Sequence, residues 1–588
     1  MLLRSRLAPQ LLRQPRILAK KLSSATAEIL HPQSDFATLN EMVSKSVERF
    51  AERKLFGTRV GHGFEWITYR QFGREVEKFR NVLHTHKFGF NDKLGLISNN
   101  RVGRPPYSHY AILVELILVE WAVAACAAQS LGGQIVPMYE VQMEKDWRYI
   151  LEDSGASILL VSTEKIFEKT SPYIGSVGNI RAVICMDASE DLLISYKRWM
   201  KSVENERPVP SLPVSPNDLC AIIYTSGTTG KPKGVDLSHA NIMSNVNGVL
   251  KLFDTVESHT SLAFLPWAHV YGMSGELYMG ICRGNSMGVV ASREQIVEGI
   301  SLVKPSLLIC VPTLLNRIFD GVMKRVDEGP PLAKRLFYWA LRVARKRNHL
   351  LEHGRAVPVL LSLQHRIFDK IVFSKVRARL GENLSYVSNG GAAVPLKVAQ
   401  FFEDIGIPVL NGYGLTETSP IIAFSGPEWS MRRLGTCGVT LPGVSILIVD
   451  PSTLEEMPAE TDGEICVSGP NVMQGYHNRP DATAEVFLMR GGRKYFRTGD
   501  LGHMVDGKFL KVTGRIKEQF KLENGKYVVP TPVEEAICRS SFIAQVSLVN
   551  FRLNKIHFTL HRRSSTATIA SPRFYLSYPN GLRYALGG

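Results

Sequence analysis

The chain has 588 residues, 45% hydrophobic and 21% charged, a length and composition that exclude a disordered polypeptide and predict two or more folded domains. Its eight cysteines form no Cys-x-x-Cys pair and no Cys/His cluster at metal-ligand spacing, so we expect neither a disulfide framework nor a zinc site. The net charge of +16 is concentrated at the two ends without the interleaved aromatic residues of nucleic-acid modules, so nucleic acid is not an expected partner.

Residues 1–30 have the character of a mitochondrial targeting segment. They are rich in arginine, contain no acidic residue before Glu28, and carry leucines that a helix would gather on one side. A disordered basic tail is the alternative for this segment. We therefore expect a mitochondrial protein, with the cytoplasm or the surface of the endoplasmic reticulum as the alternative location.

Residues 103–119 interrupt the pattern of the chain as an anomalous insertion. Together with the residues that follow, they form an apolar run of nearly membrane length. Glu115 and Glu120 lie inside this run, and a carboxylate at the centre of a bilayer is costly. We therefore do not expect a transmembrane helix here.

From about residue 35 to residue 500, short β-branched runs alternate with helical segments, which predicts an α/β fold. Four of these runs are expected to be buried strands: residues 183–186, 221–224, 307–311 and 444–449. In such folds ligands bind beyond the carboxyl ends of the strands. A basic segment from Lys324 to Arg379 predicts helices with solvated cationic faces.

Residues 224–234, with the sequence YTSGTTGKPKG, form a candidate phosphate-binding loop after one of these strands. Glycines let backbone N–H groups approach an anion, hydroxyl groups donate further hydrogen bonds, and lysines supply countercharge. A Walker A loop is excluded because Lys231 is followed by Pro232. The candidate ATP-binding residues here are Thr225, Ser226, Gly227, Thr228, Thr229, Gly230, Lys231 and Lys233.

This loop resembles the signature of the adenylate-forming (AMP-binding) superfamily, and further motifs follow in the superfamily's order. They are residues 264–272, 388–393, 411–418, 462–465, 475–476, 498–500 and 514–518. The resemblance implies a large adenylation domain of several subdomains over residues 31–514. It also implies a small α+β C-terminal domain that begins at residues 515–550 and is incomplete.

The resemblance implies roles for individual residues on the acid and adenine side of the site. His269 would lie beside the carboxylate of the acid substrate. Gly391 and Ala392 would lie along the adenine, and Tyr413, in the same turn as Gly414, offers a ring on which adenine can stack.

The remaining roles concern the phosphates, the metal ion and the ribose. Thr416 would donate a hydroxyl to the α-phosphate, and Glu417 would supply a hard carboxylate oxygen to Mg²⁺. Asp500 would accept both ribose hydroxyls, with Arg515 near the ribose and phosphate. Lys517 would lie at the hinge between the two domains.

Two features resemble long-chain acyl-CoA synthetases in particular: the long helical segment between residues 313 and 388, and residues 514–527. The resemblance implies activation of a long-chain fatty acid through an acyl-adenylate, with ATP, Mg²⁺ and coenzyme A. Peripheral membrane contact is expected from the fatty substrate, and no obligate protein partner is evident. A ligase for medium-chain or aryl acids is the alternative within this class.

Three departures from the family pattern stand out. Asp236 occupies a position after the loop where relatives usually have an apolar residue, which questions the packing of the loop. The resemblance ends near Val546, so the family's C-terminal catalytic lysine has no evident counterpart, and residues 551–588 do not resemble that domain. Removal of residues 103–119 restores the family's usual Asn-Arg-x-Glu-Trp run.

We therefore hypothesise that residues 103–119 and 551–588 are translated intron sequence or an equivalent gene-model error. The lost lysine leads to a second functional hypothesis. In it, the chain holds nucleotide and acyl chain but is catalytically impaired, because removing a positive charge from a phosphoryl transition state costs about 10² to 10³ in rate.

Overall fold

The computed structural model describes residues 36–98, 119–225, 231–252, 259–290 and 293–518, and beyond these the backbone of a few short strands. The predicted targeting segment and the inserted segment, apart from Val119, lie outside the described residues. The internal contacts divide the chain into Met1–Phe36 and Ala37–Gly588. All elements given below belong to the second unit.

A seven-stranded sheet carries the candidate phosphate loop near one edge. Its central strands are parallel, and the loop connects two antiparallel strands, Leu219–Thr225 and Lys233–Ser238. In spatial order the strands are Gly475–Tyr476, Lys233–Ser238, Leu219–Thr225, Gln134–Met138, Lys93–Ile97, Ile158–Val161 and Ala182–Cys185.

A nine-stranded sheet carries most of the other motifs. Its order is Val439–Thr440, Ile421–Phe424, Val409–Gly414, Tyr386–Asn389, Leu307–Cys310, Thr260–Ala263, Ser286–Val289, Lys54–Val60 and Gly63–Thr68. The six strands from Val409–Gly414 to Lys54–Val60 are parallel, so their carboxyl ends meet at one edge. Residues 264–272, 390–393 and 415–418 follow three of these ends, as the α/β prediction requires.

A five-stranded antiparallel sheet carries the motifs around Asp500. Its path is Ser445–Val449, Gly463–Ser468, Arg493–Val505 and Phe487–Arg490, and Phe509–Arg515 pairs with Arg493–Val505. Beyond residue 518 the described strands pair as Phe520–Lys521 with Tyr527–Val528, Ile543–Phe551 with Lys555–Arg562, and Tyr575–Ser577 with Arg583–Ala585.

Helices connect and cover the strands. The α-helices are Leu39–Arg49, Tyr69–Thr85, Glu120–Ser130, Glu144–Ser154, Glu164–Thr170, Tyr196–Ser202, His239–Leu252, Val270–Gly272, Met279–Arg283, Ile296–Val303, Pro312–Asp327, Pro331–Glu352, Val359–Phe368, Ser374–Ala378, Leu396–Asp404 and Pro480–Glu485. Met273–Tyr278 and Asp369–Phe373 are π-helical. Short 3₁₀ turns lie at Ser171–Tyr173, Arg293–Gln295, Thr416–Thr418, Trp429–Met431 and Ile516–Glu518.

Helix Tyr69–Thr85 illustrates how local sequence sets these elements. The Gln71 backbone N–H donates to the Thr68 hydroxyl, and the Thr68 N–H donates back to the Gln71 side chain, which forms a capping box. Phe72 and Phe79 recur on one face at helical spacing and are fully buried. The cap therefore fixes where the helix starts, and the apolar face fixes which side enters the core.

The predicted strands are confirmed within a residue or two, but the burial prediction is wrong for one of them. Ala182–Cys185 is buried throughout, and most of Leu219–Thr225 and Leu307–Cys310 is buried. Ser445–Val449 lies at the edge of its sheet, and only Val449 is buried. An edge strand has one neighbour and less cover, which its apolar sequence alone does not reveal.

The segment from Lys324 to Arg379 is helical, as predicted from its pattern. Helix Glu120–Ser130, which follows the inserted segment, is buried along its whole length. Among the described helices, none combines the length and the hydropathy needed to cross a bilayer.

Candidate active site

The neck of the candidate phosphate loop is a β-hairpin. Thr225 pairs with Lys233 in the register of the two strands, and the Thr225 hydroxyl donates to the Lys233 carbonyl at 3.5 Å. The predicted ligands Ser226 to Gly230 lie outside the described residues. The structure therefore positions the two ends of the loop and leaves the roles of its five central residues as predictions.

Each lysine of the loop is held over an aromatic ring. The Lys231 Nζ lies 5.2 Å from the centre of the Tyr149 ring, and the Lys233 Nζ lies 4.9 Å from the centre of the Tyr476 ring. Cation–π contact of this kind restrains an ammonium group without neutralising its charge. Both ammonium groups are therefore positioned at the neck of the loop.

Asp236 has a specific partner, which answers the question that its sequence position raised. The His477 imidazole Nδ1 lies 2.9 Å from the Asp236 carboxylate, and both side chains are largely buried. Strand Gly475–Tyr476 runs antiparallel to Lys233–Ser238 at this point. The aspartate therefore joins the returning strand of the loop to a later segment of the chain.

A polar cluster that sequence analysis missed surrounds Tyr224, in the strand that precedes the loop. The Tyr224 hydroxyl donates to Asp153 Oδ2 at 2.7 Å, and Arg479 lies 3.0 Å from Asp153 Oδ1. Arg479 also donates to the hydroxyl of Tyr149, the residue that holds Lys231. Tyr149 and Asp153 lie on one helix, but Tyr224 and Arg479 are more than 70 positions away from both, so no local pattern connects the cluster.

His269 caps the short helix Val270–Gly272, and its side chain is exposed. The Tyr271 backbone N–H donates to His269 Nδ1 at 3.2 Å, so the proton of the neutral imidazole must be on Nε2. The side chain is accessible to solvent, yet desolvation by the surrounding protein lowers its pKa. His269 is therefore neutral at pH 7 and can donate a hydrogen bond from Nε2.

The motif of His269 packs directly on the glycine-rich turn. The Tyr271 and Ser388 hydroxyls are 3.2 Å apart, and a Cβ at Gly390 would lie 2.9 Å from the Tyr271 ring. Gly391 has φ +81°, a left-handed conformation that favours glycine. Gly391 and Ala392 are exposed, so this turn is accessible to a ligand.

Tyr413, Asp500 and Arg515 form a connected group. The Tyr413 hydroxyl donates to Asp500 Oδ2 at 2.7 Å, and Arg515 Nε donates to Asp500 Oδ1 at 3.0 Å. Burial raises the pKa of Asp500, while these two contacts favour the ionised carboxylate. A carboxylate has further lone pairs, so the predicted ribose contact remains compatible with both bonds.

Glu464, for which sequence analysis assigned no role, holds the turn that presents Asp500. Its carboxylate is buried, accepts from Arg497 at 2.6 Å, and accepts the backbone N–H of Gly499 at 3.2 Å. Gly499 has φ +72°. The only available signal was the match of residues 462–465 to the superfamily, which gave a motif without a function.

Glu417 lies with Thr416 in the 3₁₀ turn Thr416–Thr418, just after Gly414. The Tyr476 hydroxyl donates to Glu417 Oε1 at 2.9 Å, so one tyrosine contacts both Glu417 and Lys233. Burial raises the pKa of Glu417, although hydrogen bonds to its carboxylate act in the opposite direction. A divalent cation would offset the cost of burying this charge, and Mg²⁺ commonly takes one protein carboxylate together with phosphates and waters, so Glu417 fits the predicted role.

Lys517 is exposed in the turn Ile516–Glu518, two residues after Arg515. Its place at the end of strand Phe509–Arg515 is compatible with the predicted hinge, which remains a prediction. In the described site, Tyr476 contacts both Lys233 and Glu417. Asp500 contacts both Tyr413 and Arg515.

Comparison with known protein families gives a match along most of the chain. The model of the AMP-binding enzyme family matches residues 43–477. Long chain acyl-CoA synthetase 7, peroxisomal, of Arabidopsis thaliana is 28% identical over 540 residues, covering 88% of this chain and 71% of that protein. Long-chain-fatty-acid–CoA ligase FadD15 of Mycobacterium bovis is 30% identical over 439 residues, covering 73% of this chain and 69% of that protein.

Solved structures share the fold. MatB from Rhodopseudomonas palustris with bound ATP superimposes with a TM-score of 0.69 at 20% identity, over 91% of this chain and 90% of that one. The anthranilate CoA ligase AuaEII in complex with anthranoyl-AMP gives a TM-score of 0.67 at 17% identity, over 89% and 86% of the two chains. At these identities the similarity establishes the α/β fold alone.

Proposed function

Because the chain belongs to the AMP-binding enzyme family and, within it, to the long-chain fatty-acid–CoA ligases, we propose that it activates a long-chain fatty acid to its CoA thioester through an acyl-adenylate. The observation that carries the proposal is the proximity of two groups, since Asp500 and Arg515 are close enough to Glu417 to affect its pKa. One is Lys233 and Glu417 around Tyr476, and the other is Tyr413 and Arg515 around Asp500.

In the first half-reaction the fatty carboxylate attacks the α-phosphorus of ATP, and pyrophosphate leaves with the electron pair of the broken P–O bond. Lys231 and Lys233 would bind the phosphates, and His269 Nε2–H would orient an oxygen of the reacting carboxylate or phosphate. Asp500 and Tyr413 would hold the nucleoside. Fixed positive charge and positioning supply most of the acceleration of such a step.

Glu417 would hold Mg²⁺, which supplies charge neutralisation at the phosphate oxygens when it is bound. In the second half-reaction the thiol of coenzyme A attacks the acyl carbon, and AMP leaves. The domain beginning near Arg515 would move between the two steps, as expected for a hinge at Lys517.

The test measures the two half-reactions separately on the purified chain. With ATP, Mg²⁺ and palmitate or oleate we expect pyrophosphate release, and with coenzyme A added we expect acyl-CoA by mass spectrometry. Octanoate and benzoate, used as substrates in the same assays, test the alternative medium-chain and aryl acid classes. ATP binding without pyrophosphate release from any acid would contradict the proposal and favour the impaired nucleotide- and acyl-binding protein.

We also propose that the helical segment contacts a membrane surface. Helices Pro331–Glu352 and Val359–Phe368 pack together, with the Trp339 and Phe368 rings 4.9 Å apart. Exposed apolar residues recur along one side of the second helix and its continuation, with exposed fractions from 48% to 86%: Val359, Leu360, Leu363, Ile367 and Ile371. Exposed basic residues flank them: Arg335, Arg342, Arg366, Lys370 and Lys375.

Apolar side chains next to cations suit a bilayer surface that contains anionic phospholipid. We expect the chain to sediment with vesicles of phosphatidylcholine and phosphatidylglycerol and much less with phosphatidylcholine alone. The double variant L363E/I367E should lose this binding, whereas Val141→Glu, at an exposed apolar residue elsewhere, should keep it. Equal binding of both variants, or dimerisation through this face, would contradict the proposal.

We propose that residues 1–30 direct import into mitochondria, because they have the targeting composition described above. Relatives in Arabidopsis thaliana carry the name peroxisomal, so the location needs a direct test. Fusing residues 1–30 to a fluorescent protein should direct it to mitochondria, and a diffuse or peroxisomal signal would contradict the proposal.

A further inference from the structure

We propose that His349, Glu352 and His353 form a surface site for a divalent transition-metal ion of the zinc type. They read His-x-x-Glu-His at the end of helix Pro331–Glu352. Residues four apart lie on the same face of a helix, so the two imidazoles are neighbours. The sequence analysis found no Cys/His cluster and predicted no zinc site, and this histidine pair is what it missed.

The three side chains lie close enough to share one ion. One ligand atom from each residue lies within 4.8 Å of the others, and the two imidazole centres are 4.3 Å apart. Tetrahedral zinc with nitrogen and oxygen ligands at about 2.0 to 2.1 Å separates its ligand atoms by about 3.3 Å. His349 and His353 are exposed, so a small side-chain movement can close this difference.

The tautomer of His353 is suitable for metal binding. Its Nδ1 lies 2.8 Å from the carbonyl oxygen of His349, and a carbonyl can only accept, so Nδ1 carries the proton. The lone pair of the neutral ring is then on Nε2. Metal-binding histidines are typically oriented by a bond of this kind from the other ring nitrogen.

Glu352 is held in place by the neighbouring segment. Its side chain is only 10% exposed, and its Oε1 accepts the Leu434 backbone N–H at 3.0 Å. Arg433 Nε lies 3.9 Å from the same oxygen, while the other end of that guanidinium contacts Asp506 at 3.0 Å. Both contacts of Glu352 use Oε1, which leaves Oε2 to face an ion.

The chemistry of the donor set selects the metal. Two imidazole nitrogens and a carboxylate suit Zn²⁺, Ni²⁺ or Cu²⁺ better than Mg²⁺ or Ca²⁺, which prefer oxygen ligands. The last turn of a helix also carries partial negative charge that favours a cation. Glu352 already bonds to Leu434, so a bound ion would be anchored to that segment through Glu352.

The test is calorimetric titration of Zn²⁺ into the untagged, chelator-treated chain. We expect one ion per chain, and we expect His349→Ala and His353→Ala each to weaken binding by about 10- to 100-fold or more. His84→Ala is the matched control, because His84 is also exposed and lies on helix Tyr69–Thr85. Circular dichroism checks that each variant is folded.

Cobalt gives a second readout that needs no substitution. Co²⁺ at this site should give the weak visible bands of nitrogen and oxygen ligands, whereas a thiolate charge-transfer band would assign the metal to a cysteine and overturn the proposal. Absence of Zn²⁺ uptake by the wild-type chain, or unchanged uptake by H349A/H353A, would also overturn it. The titration uses neither ATP nor fatty acid, so its outcome is independent of the proposed ligase activity.

Discussion

Asp500 is only 3% exposed and accepts hydrogen bonds from both Tyr413 and Arg515. Asp500→Asn keeps the shape of the side chain but removes the charge that Arg515 and the ribose hydroxyls would share. A hydrogen bond to a charged group contributes about 1.5 to 3 kcal/mol. We therefore expect the KM for ATP in the pyrophosphate assay to rise about 10- to 100-fold.

The matched control for this change is Asp462→Asn. Asp462 is half exposed and contacts His503, which lies in the same strand as Asp500, at 2.7 Å. We expect this variant to keep its KM for ATP within about twofold, because surface ion pairs contribute little. If the two variants behave alike, Asp500 does not hold the nucleotide.

Glu276 is a fully buried carboxyl in the π-helical segment after the His269 motif. Burial raises its pKa well above the ordinary value of 4.5, and the nearby Trp267 only partly offsets this. The folded state therefore holds the proton more tightly than the unfolded state. Its contribution to stability is complete below pH 4.5 and is lost as the pH rises toward the folded pKa.

Glu276→Gln removes this titration. Above pH 4.5 the free energy of unfolding of the wild type should fall, relative to the variant, by up to about 1.4 kcal/mol per pH unit. Urea unfolding of both proteins between pH 5 and pH 8 measures the difference. Parallel pH profiles would show that Glu276 does not carry the expected pKa.

At the scale of single residues, the sequence predicted those that lie in recognisable motifs. It missed residues whose partners are distant in the sequence. Tyr413, Asp500 and Arg515 were found because each lies in a recognisable local pattern, and the structure brings them together. Asp153 and Glu464 were missed because their partners depend on strand and loop pairing between distant segments. Asp153 lies in no recognisable motif, and the motif at residues 462–465 gave Glu464 no role.

At the scale of elements, the strand Val409–Gly414 is held against the turn that follows it. A Cβ at Gly414 would overlap the carbonyl oxygen of Pro420. Gly414→Ala should therefore move Tyr413 and Glu417 apart, destabilise the chain by about 2 to 4 kcal/mol, and abolish adenylate formation. Thermal unfolding and the pyrophosphate assay measure the two effects.

Gly321→Ala is the control, because Gly321 is exposed in helix Pro312–Asp327 with open space around its Cβ position. This change should stabilise the chain by up to about 1 kcal/mol, since alanine favours a helix interior. A Gly414→Ala variant as stable and active as Gly321→Ala would mean that the turn can move without cost.

Elements with strong periodicity were predictable, whereas their exposure was not. The helices between Pro312 and Ala378 follow from their apolar spacing, but the exposed row from Val359 to Ile371 reads in sequence like an ordinary buried face. Ser445–Val449 likewise reads as a core strand and lies at an edge. Which face is covered depends on neighbouring elements, and a single sequence does not specify them.

For the whole molecule, we predict that the chain does not need the inserted segment, residues 103–119. Deletion of residues 103–119 removes 119 − 103 + 1 = 17 residues and joins Val102 to Glu120, so Val102 replaces the buried Val119 before helix Glu120–Ser130. The connection from strand Lys93–Ile97 to this helix would then have a length common in α/β folds. We expect the deletion variant to match or exceed the full chain in melting temperature and in pyrophosphate release.

A matched deletion of 17 residues that includes helix Tyr69–Thr85 should abolish folding, because that helix is part of the core. If the 103–119 deletion is equally damaging, the segment is an integral part of the protein. Sequencing the transcript gives an independent check, since a spliced message containing residues 103–119 and 551–588 would contradict the intron hypothesis.

Edge strand Gly475–Tyr476 is synthesised long after its partner, strand Lys233–Ser238. This delay matters for folding during synthesis. The partner strand ends at Ser238, so the ribosome adds 476 − 238 = 238 further residues before Gly475–Tyr476 is complete. At about 5 to 20 residues per second this takes roughly 12 to 48 s. During that interval Lys233–Ser238 is an open edge available for pairing with other nascent chains, so the half-made protein should depend on chaperones more than the finished one.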